Sequence, residues 1–177
     1  MSIKIPYDTV RETIKQAFLN VGLTEEQAKT CAAIHAQSSA DGVESHGLNR
    51  VPRFVDYVRR GLIDPKGSPE LVRAKGAVEN YDGHLGIGIT NALFCADRAM
   101  ELAKEHGIGC VALKNTSHWM RGGPTRGGWL RRDFWESAGL IRRAACPCGA
   151  ATSRAWATIH SVSAFPGRTA PLCWIWR

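Results

Sequence analysis

The chain changes character at Gly123. Beyond it stand eight arginines and no lysine, Asp133 and Glu136 as the only acids, five of the six tryptophans, and no Asn, Gln or Tyr. The formal charge of +7 is therefore concentrated, with six of its seven units on residues 124–177 and near balance before them. A sequence that packs one core keeps its patterning from end to end, because local preference and global fold must agree along the whole chain. The break divides the 177 residues into 1–123, which carries structural patterning, and a tail at 124–177 that does not. The length suits one domain with a real core rather than two.

Before the break the patterning is clear. Residues 7–21 place Val10, Ile14, Ala17, Phe18 and Val21 at helical spacing, and Gly22 ends the run. Thr24 and Gln27 frame a capping box that opens a second helix to about Ala40, with Ala28, Cys31, Ala32 and His35 on one stripe. His35 reads as a packed or solvated helix residue. A third helical segment spans 48–60 before Gly61. Residues 71–81, interrupted by Gly76, predict a hairpin or two short edge strands before a turn at Asp82 and Gly83. The clearest helix spans 89–106, burying Ala92, Leu93, Ala96, Ala99, Met100 and Ala103, with Gly107 as its stop. The short apolar run 108–113 predicts a buried strand that delivers the loop 114–123 to a sheet edge.

Several classes are set aside at this point. No stretch approaches the roughly 20 apolar residues of a membrane helix, and the start lacks the apolar segment of a secretory signal, so a cytoplasmic protein without membrane contact is expected. The six cysteines have irregular spacing, and Cys31, Cys95 and Cys110 lie in apolar patterns where a thiol packs as a small hydrophobe. Cys146 and Cys148 lack the spacing and the second pair of a zinc site, so no metal is expected. Gly83, Gly86 and Gly88 spell GxxGxG, the reverse of the dinucleotide fingerprint. No Rossmann site is read there.

Two groups of residues can carry chemistry. Ser45, His46 and Gly47 sit where a linker meets a helix, and Arg50 follows four residues later, so His46 and Arg50 can share a helical face. A histidine exchanges protons near neutral pH, and a guanidinium holds a carboxylate through two parallel hydrogen bonds, which together suit a 2-oxo acid. By spacing alone, an ordinary exposed His and Arg near a helix start explain the pair better. The loop after the buried strand brings His118, Trp119 and Arg121 with two glycines, a common setting for binding groups. An exposed loop with one packed Trp accounts for it too.

Taken in order, GVESHGLNRVPRF at 42–54, ELAKEHGIG at 101–109, CVAL at 110–113 and KNTSHWMRGG at 114–123 resemble successive landmarks of the malate/L-lactate dehydrogenase family. The HWMRGG form is most similar to members acting on diketo sugar acids. This resemblance covers residues 1–123, about the first third of such an enzyme. It implies an α/β fold in which N-terminal helices precede the start of a mixed sheet, belonging to the family's own non-Rossmann NAD(P)-binding architecture and incomplete here. It implies an oxidoreductase that transfers hydride from NAD(P)H, NADH favoured, to a 2-oxo acid such as 2,3-diketo-L-gulonate, in a homodimer. His46 would donate the proton to the carbonyl and Arg50 would hold the carboxylate. Ser45, His118 and Arg121 would line the substrate and cofactor pocket.

The same resemblance bears on the tail. Phe134 to Ile141 can be encoded so that reading from the third base gives LGICWTN, and Arg154 to Ser161 likewise gives RVGNNPF, text similar to the family's next segment. Residues 124–177 are therefore expected to be an out-of-frame tail and not a native domain. An irregular tail, an exposed edge on the strand 108–113, poor stability and an inactive fragment follow as expectations. The competing reading is a nucleic-acid-binding tail in which arginines meet phosphates and tryptophans stack on bases.

Overall fold

The computed structural model describes residues 4–120 and the backbone of residues 134–142 and 158–166. Three helices come first: α1 (Tyr7–Leu19), α2 (Glu25–Ala40) and α3 (Val51–Arg59). Strands β1 (Glu70–Lys75) and β2 (Val78–Gly86), helix α4 (Gly88–His106) and strand β3 (Gly109–Thr116) follow, then β4 (Phe134–Arg142) and β5 (Thr158–Pro166). Among the described residues no helix is long and apolar enough to cross a membrane.

The start of α2 and the end of α4 fall where their local chemistry says they should. The Thr24 hydroxyl accepts the Gln27 N–H, and the Gln27 side chain accepts the Thr24 N–H, so α2 opens on a complete capping box. Gly107 closes α4 at φ +77°, a left-handed position that costs glycine nothing, with Lys104 and His106 in the last turn facing the negative end of the helix dipole. Ile14 and Phe18 of α1 are fully buried, and Val10, Ala17 and Val21 pack partly buried around them. Full burial of a side chain such as Phe18 contributes about 1.5–3 kcal/mol.

Two cores result. One joins α1, α2 and α3 through Phe18, Cys31, Val51 and Phe54, and also takes in Ile87, Ile89 and Met120. The other lies between α4 and the sheet, where Cys95, Ala96, Ala99 and Met100 meet Tyr81, Val111 and Leu113. Leu93 touches both. Small residues on α4 let it lie close on β3, and a Cβ on Gly109 would strike the Ala99 carbonyl. The buried Glu79 of β2 accepts two hydrogen bonds from Arg98 of α4, at 2.7 and 2.8 Å, and one from the Tyr81 hydroxyl at 2.7 Å. A buried carboxylate is tolerable only when paired in this way.

The sheet order is β1-β2-β3-β5-β4. β1 and β2 are antiparallel and form the expected hairpin, with Gly76 in the turn at φ +54°. β2 and β3 are parallel, joined by α4. The architecture is thus α/β, as anticipated, with three departures in detail. First, β2 does not end at Asp82 and Gly83. It runs to Gly86, and the irregularity falls between Asp82 and Gly86, where the Asp82 carboxylate accepts the His84 N–H and His84 and Leu85 take positive φ. Turn-forming residues have been used inside a strand, as in a bulge.

The second and third departures concern the tail. β5 pairs antiparallel with β3 from Gly109 opposite Ala164 to Leu113 opposite His160, and β4 pairs with β5. The edge of β3 expected to be exposed is covered by β5, and 134–142 and 158–166 are the strand-forming parts of a tail expected to be largely irregular. The physical reason is that a strand edge offers backbone donors and acceptors that any alternating, branched segment can meet, and TIHSVSAFP is such a segment. Cys31 and Cys95 are buried, with burial pushing both thiols up to about 12. Cys146, Cys148 and Cys173 lie outside the described residues.

Candidate functional site

His46 ends a single 3-10 turn, Glu44–His46, and a second such turn, Leu48–Arg50, leads into α3. The shared helical face inferred from the spacing of His46 and Arg50 is therefore not realised. Gly47 separates the two turns, and α3 starts only at Val51, with Pro52 in its first turn where a missing N–H costs nothing. Gly47 is required by proximity, since a Cβ there would collide with the Ser39 hydroxyl and lie 2.9 Å from the Ser39 nitrogen.

The Ser45 hydroxyl lies 2.9 Å from Nδ1 of His46. When Ser45 donates, the neutral imidazole carries its proton on Nε2; when the ring is doubly protonated, Nδ1 donates to Ser45. Both of these states keep a protonated Nε2, whereas a neutral ring donating from Nδ1 to Ser45 leaves Nε2 bare. Ser45 is exposed, and His46 and Arg50 are half-buried.

The second half of the site comes from the exit of β3. The Met120 N–H donates to Nδ1 of His118 at 2.9 Å, so neutral His118 also carries its proton on Nε2. The rings of His46 and His118 lie 5.4 Å apart between centroids and are tilted by 52°. His118 is held there by a series of backbone contacts. The Ser117 N–H donates to the Gly86 carbonyl, the Ser117 hydroxyl accepts the Gly88 N–H at 2.7 Å, and a Cβ on Gly88 would strike the backbone of Ser117 and His118. Buried Asn91 donates to the Thr116 hydroxyl at 3.0 Å and to the Gly83 carbonyl at 3.4 Å. Met120, at φ +71°, turns its side chain into the helical core. An unbranched non-glycine residue held in this region beside a candidate site is the kind of local strain that a surrounding structure must enforce.

His35 lies beneath these groups. It is fully buried, its ring 5.3 Å from Phe18 and 6.2 Å from Phe54, and Nδ1 lies 3.4 Å from the Gly47 carbonyl. Burial above all pushes its imidazole down to about 4, against the Gly47 hydrogen bond, and Arg50, His46 and His118 each add repulsion.

Of the five residues expected to form a site, Ser45, His46 and His118 lie together, Arg50 ends the second 3-10 turn, and Arg121 lies outside the described residues. The supporting residues Ser39 and Asn91 carry no motif and were not singled out by the sequence, while Ser117 stands in the KNTSHWMRGG landmark without an expected role of its own. The glycines Gly83, Gly86 and Gly88 serve close packing of the chain against itself.

The family model that matches this chain is described as malate/L-lactate dehydrogenase and covers residues 5–168. The 2,3-diketo-L-gulonate reductase of Klebsiella pneumoniae (strain 342) is 43% identical over 121 residues, which is 68% of this chain and 36% of the relative. That of Pasteurella multocida (strain Pm70) is also 43% identical over the same length. Among solved structures, malate dehydrogenase from Pyrococcus horikoshii OT3 superposes with a TM-score of 0.73 at 27% identity, covering 83% of this chain and 42% of that one. Sulfolactate dehydrogenase from Methanocaldococcus jannaschii gives 0.73 at 26% identity, covering 84% and 43%. The chain spans about a third of the length of the curated relatives it matches.

Proposed function

From the premise that the chain belongs to the malate/L-lactate dehydrogenase family, we propose that the enzyme it represents reduces a 2-oxo acid with NAD(P)H, NADH being the favoured form. The acid is 2,3-diketo-L-gulonate or a similar sugar acid, in keeping with the names of the relatives. The observation that supports this most is the Ser45–His46 pair beside His118, with Arg50 at the end of the next turn along the chain.

Bound NAD(P)H supplies the hydride. The described glycines do not fit a dinucleotide cradle, because the chain's own backbone fills the space at Gly86 and Gly88. What these residues do is therefore substrate chemistry. Arg50 holds the carboxylate through paired hydrogen bonds. His46, held at Nδ1 by Ser45, gives the Nε2 proton to the carbonyl oxygen as the carbonyl carbon becomes a secondary alcohol. His118 lines the pocket, and the resemblance assigns Arg121 to the same pocket. In the full-length, in-frame enzyme, His46→Ala lowers kcat about 100- to 10,000-fold, the usual weight of a general acid. A full-length enzyme that oxidises no NAD(P)H with any 2-oxo acid overturns the assignment.

A second reading concerns this exact chain: an out-of-frame tail after residue 123 leaves an inactive fragment. The 121-residue span of the curated matches supports it, being close to the 123 residues before the break. The family match to residue 168 weighs the other way. Sequencing the DNA across codons 121–126 and translating three frames decides between them. An uninterrupted family-like frame on the far side establishes the slip, and its absence removes it. Nicotinamide binding by the purified 177-residue chain counts against an inactive fragment.

A further inference from the structure

α2 reaches the site at one peptide bond. His35 and Ser39 are one helical turn apart and therefore share a face of α2. The Nδ1–H of His35 donates to the Gly47 carbonyl at 3.4 Å, and the Ser39 hydroxyl accepts the Leu48 N–H at 2.7 Å. That carbonyl and that N–H are the two polar ends of the same peptide unit, Gly47–Leu48.

We propose that His35 and Ser39 are positioning residues that clamp the Gly47–Leu48 peptide from both sides, and so hold His46 against His118. The proposal rests on the reading of His46 as the proton donor. A planar peptide gripped at both polar ends cannot rotate about the chain axis, and the missing Cβ of Gly47 allows α2 to approach closely enough to grip it. The turn Glu44–His46 enters this fixed unit and is itself tied by the His46 N–H to the Val43 carbonyl at 3.1 Å, while the Val43 N–H donates to the Ser38 carbonyl of α2 at 2.9 Å. His46 is thereby bracketed by attachments to one rigid helix.

Packing alone does not account for a histidine at position 35. The ring is fully buried between Phe18 and Phe54, and its Nε2 has no hydrogen-bond partner. A buried polar atom left unpaired is costly, whereas an apolar side chain of similar size would fill the same space without that cost. What the histidine adds is the Nδ1–H on the Gly47 carbonyl. The tautomer this hydrogen bond needs leaves Nε2 as a bare acceptor, in accord with its unpaired state.

The test uses the 177-residue chain with selectively labelled histidines. Magnetisation transfer between the His46 and His118 rings is compared in the natural chain and in His35→Leu, His35→Asn and Ser39→Ala. Leucine keeps the volume and removes the donor, while asparagine restores a donor near the position of Nδ1. The expected result is a cross-peak in the natural chain, its loss in His35→Leu and Ser39→Ala, and its recovery in His35→Asn. The titration midpoint of His46 should move with the cross-peak. Where His35→Leu loses its far-UV circular dichroism, Ser39→Ala decides, since Ser39 lies outside the aromatic packing. An unchanged cross-peak in Ser39→Ala and in a folded His35→Leu overturns the clamp whatever the enzyme's activity. Absence of NAD(P)H oxidation by the full-length enzyme overturns the function instead, and leaves the ring-contact measurement valid.

Discussion

Helix α2 and strand β5 stand for two ways in which a segment finds its place. α2 is specified by side chains: a capping box at Thr24, a buried stripe from Ala28 to Cys31 and His35, and small residues where the chain crosses at Gly47. β5 is described through its backbone, by pairing with β3 over five residues and with β4 over nine. Backbone pairing is available to many sequences, and side-chain packing to few. The contrast explains how a segment of a tail whose overall composition departs from that of the first 123 residues still lies in the sheet.

The sharpest way to test that contrast is to damage the side-chain-specified part. Phe18→Ala should cost about 3–5 kcal/mol in unfolding free energy, because it empties a fully buried site shared by α1, α2 and α3. Chemical denaturation reads it directly, and a loss below about 1 kcal/mol would mean that the helical core is not the main source of stability.

Acid should act on the same region through His35. Burial above all holds its folded value near 4 against an ordinary 6.5, with the charges of Arg50, His46 and His118 adding repulsion. Between those two values the unfolded chain takes a proton that the folded chain refuses. Stability therefore falls as pH drops from 6.5 to 4, by about 3 kcal/mol, and this contribution stays constant below that. The difference between the natural chain and His35→Leu, measured from pH 7 to 4, should show this slope.

Thr24→Ala removes the hydroxyl half of the capping box and should cost about 1 kcal/mol. At the small end, Val162→Thr within β5 should change stability by less than about 0.5 kcal/mol if pairing through the backbone is what places that strand. A loss as large as that of Phe18→Ala would show that β5 is specified by its side chains after all, and would remove the contrast.

Legibility in the sequence follows the same division. The positions of α1, α2 and α4 could be read because apolar spacing, the Thr24–Gln27 box and Gly107 each report a local requirement. His46 and Arg50 could be named from their residue types and from the family's landmarks. Their arrangement could not, because it depends on Gly47 touching Ser39 and on two short turns replacing the expected helix. His35 looked like any helix residue on a buried stripe, and only the contact with Gly47 gives it another meaning. The bulge at His84 and Leu85 was hidden because Asp82 and Gly83 have the same composition as a terminal turn. The pairing of β5 with β3 was hidden because nothing in 158–166 distinguishes one strand edge from another.

Met120 plugs the helical core only three residues before the change at Gly123. Every described residue of both apolar clusters has been synthesised by that point. During translation, which releases N-terminal segments first, the two clusters and the facing histidines can assemble while residues 124–177 are still inside or behind the ribosome. The order of emergence separates the birth of the site from whatever text comes after it.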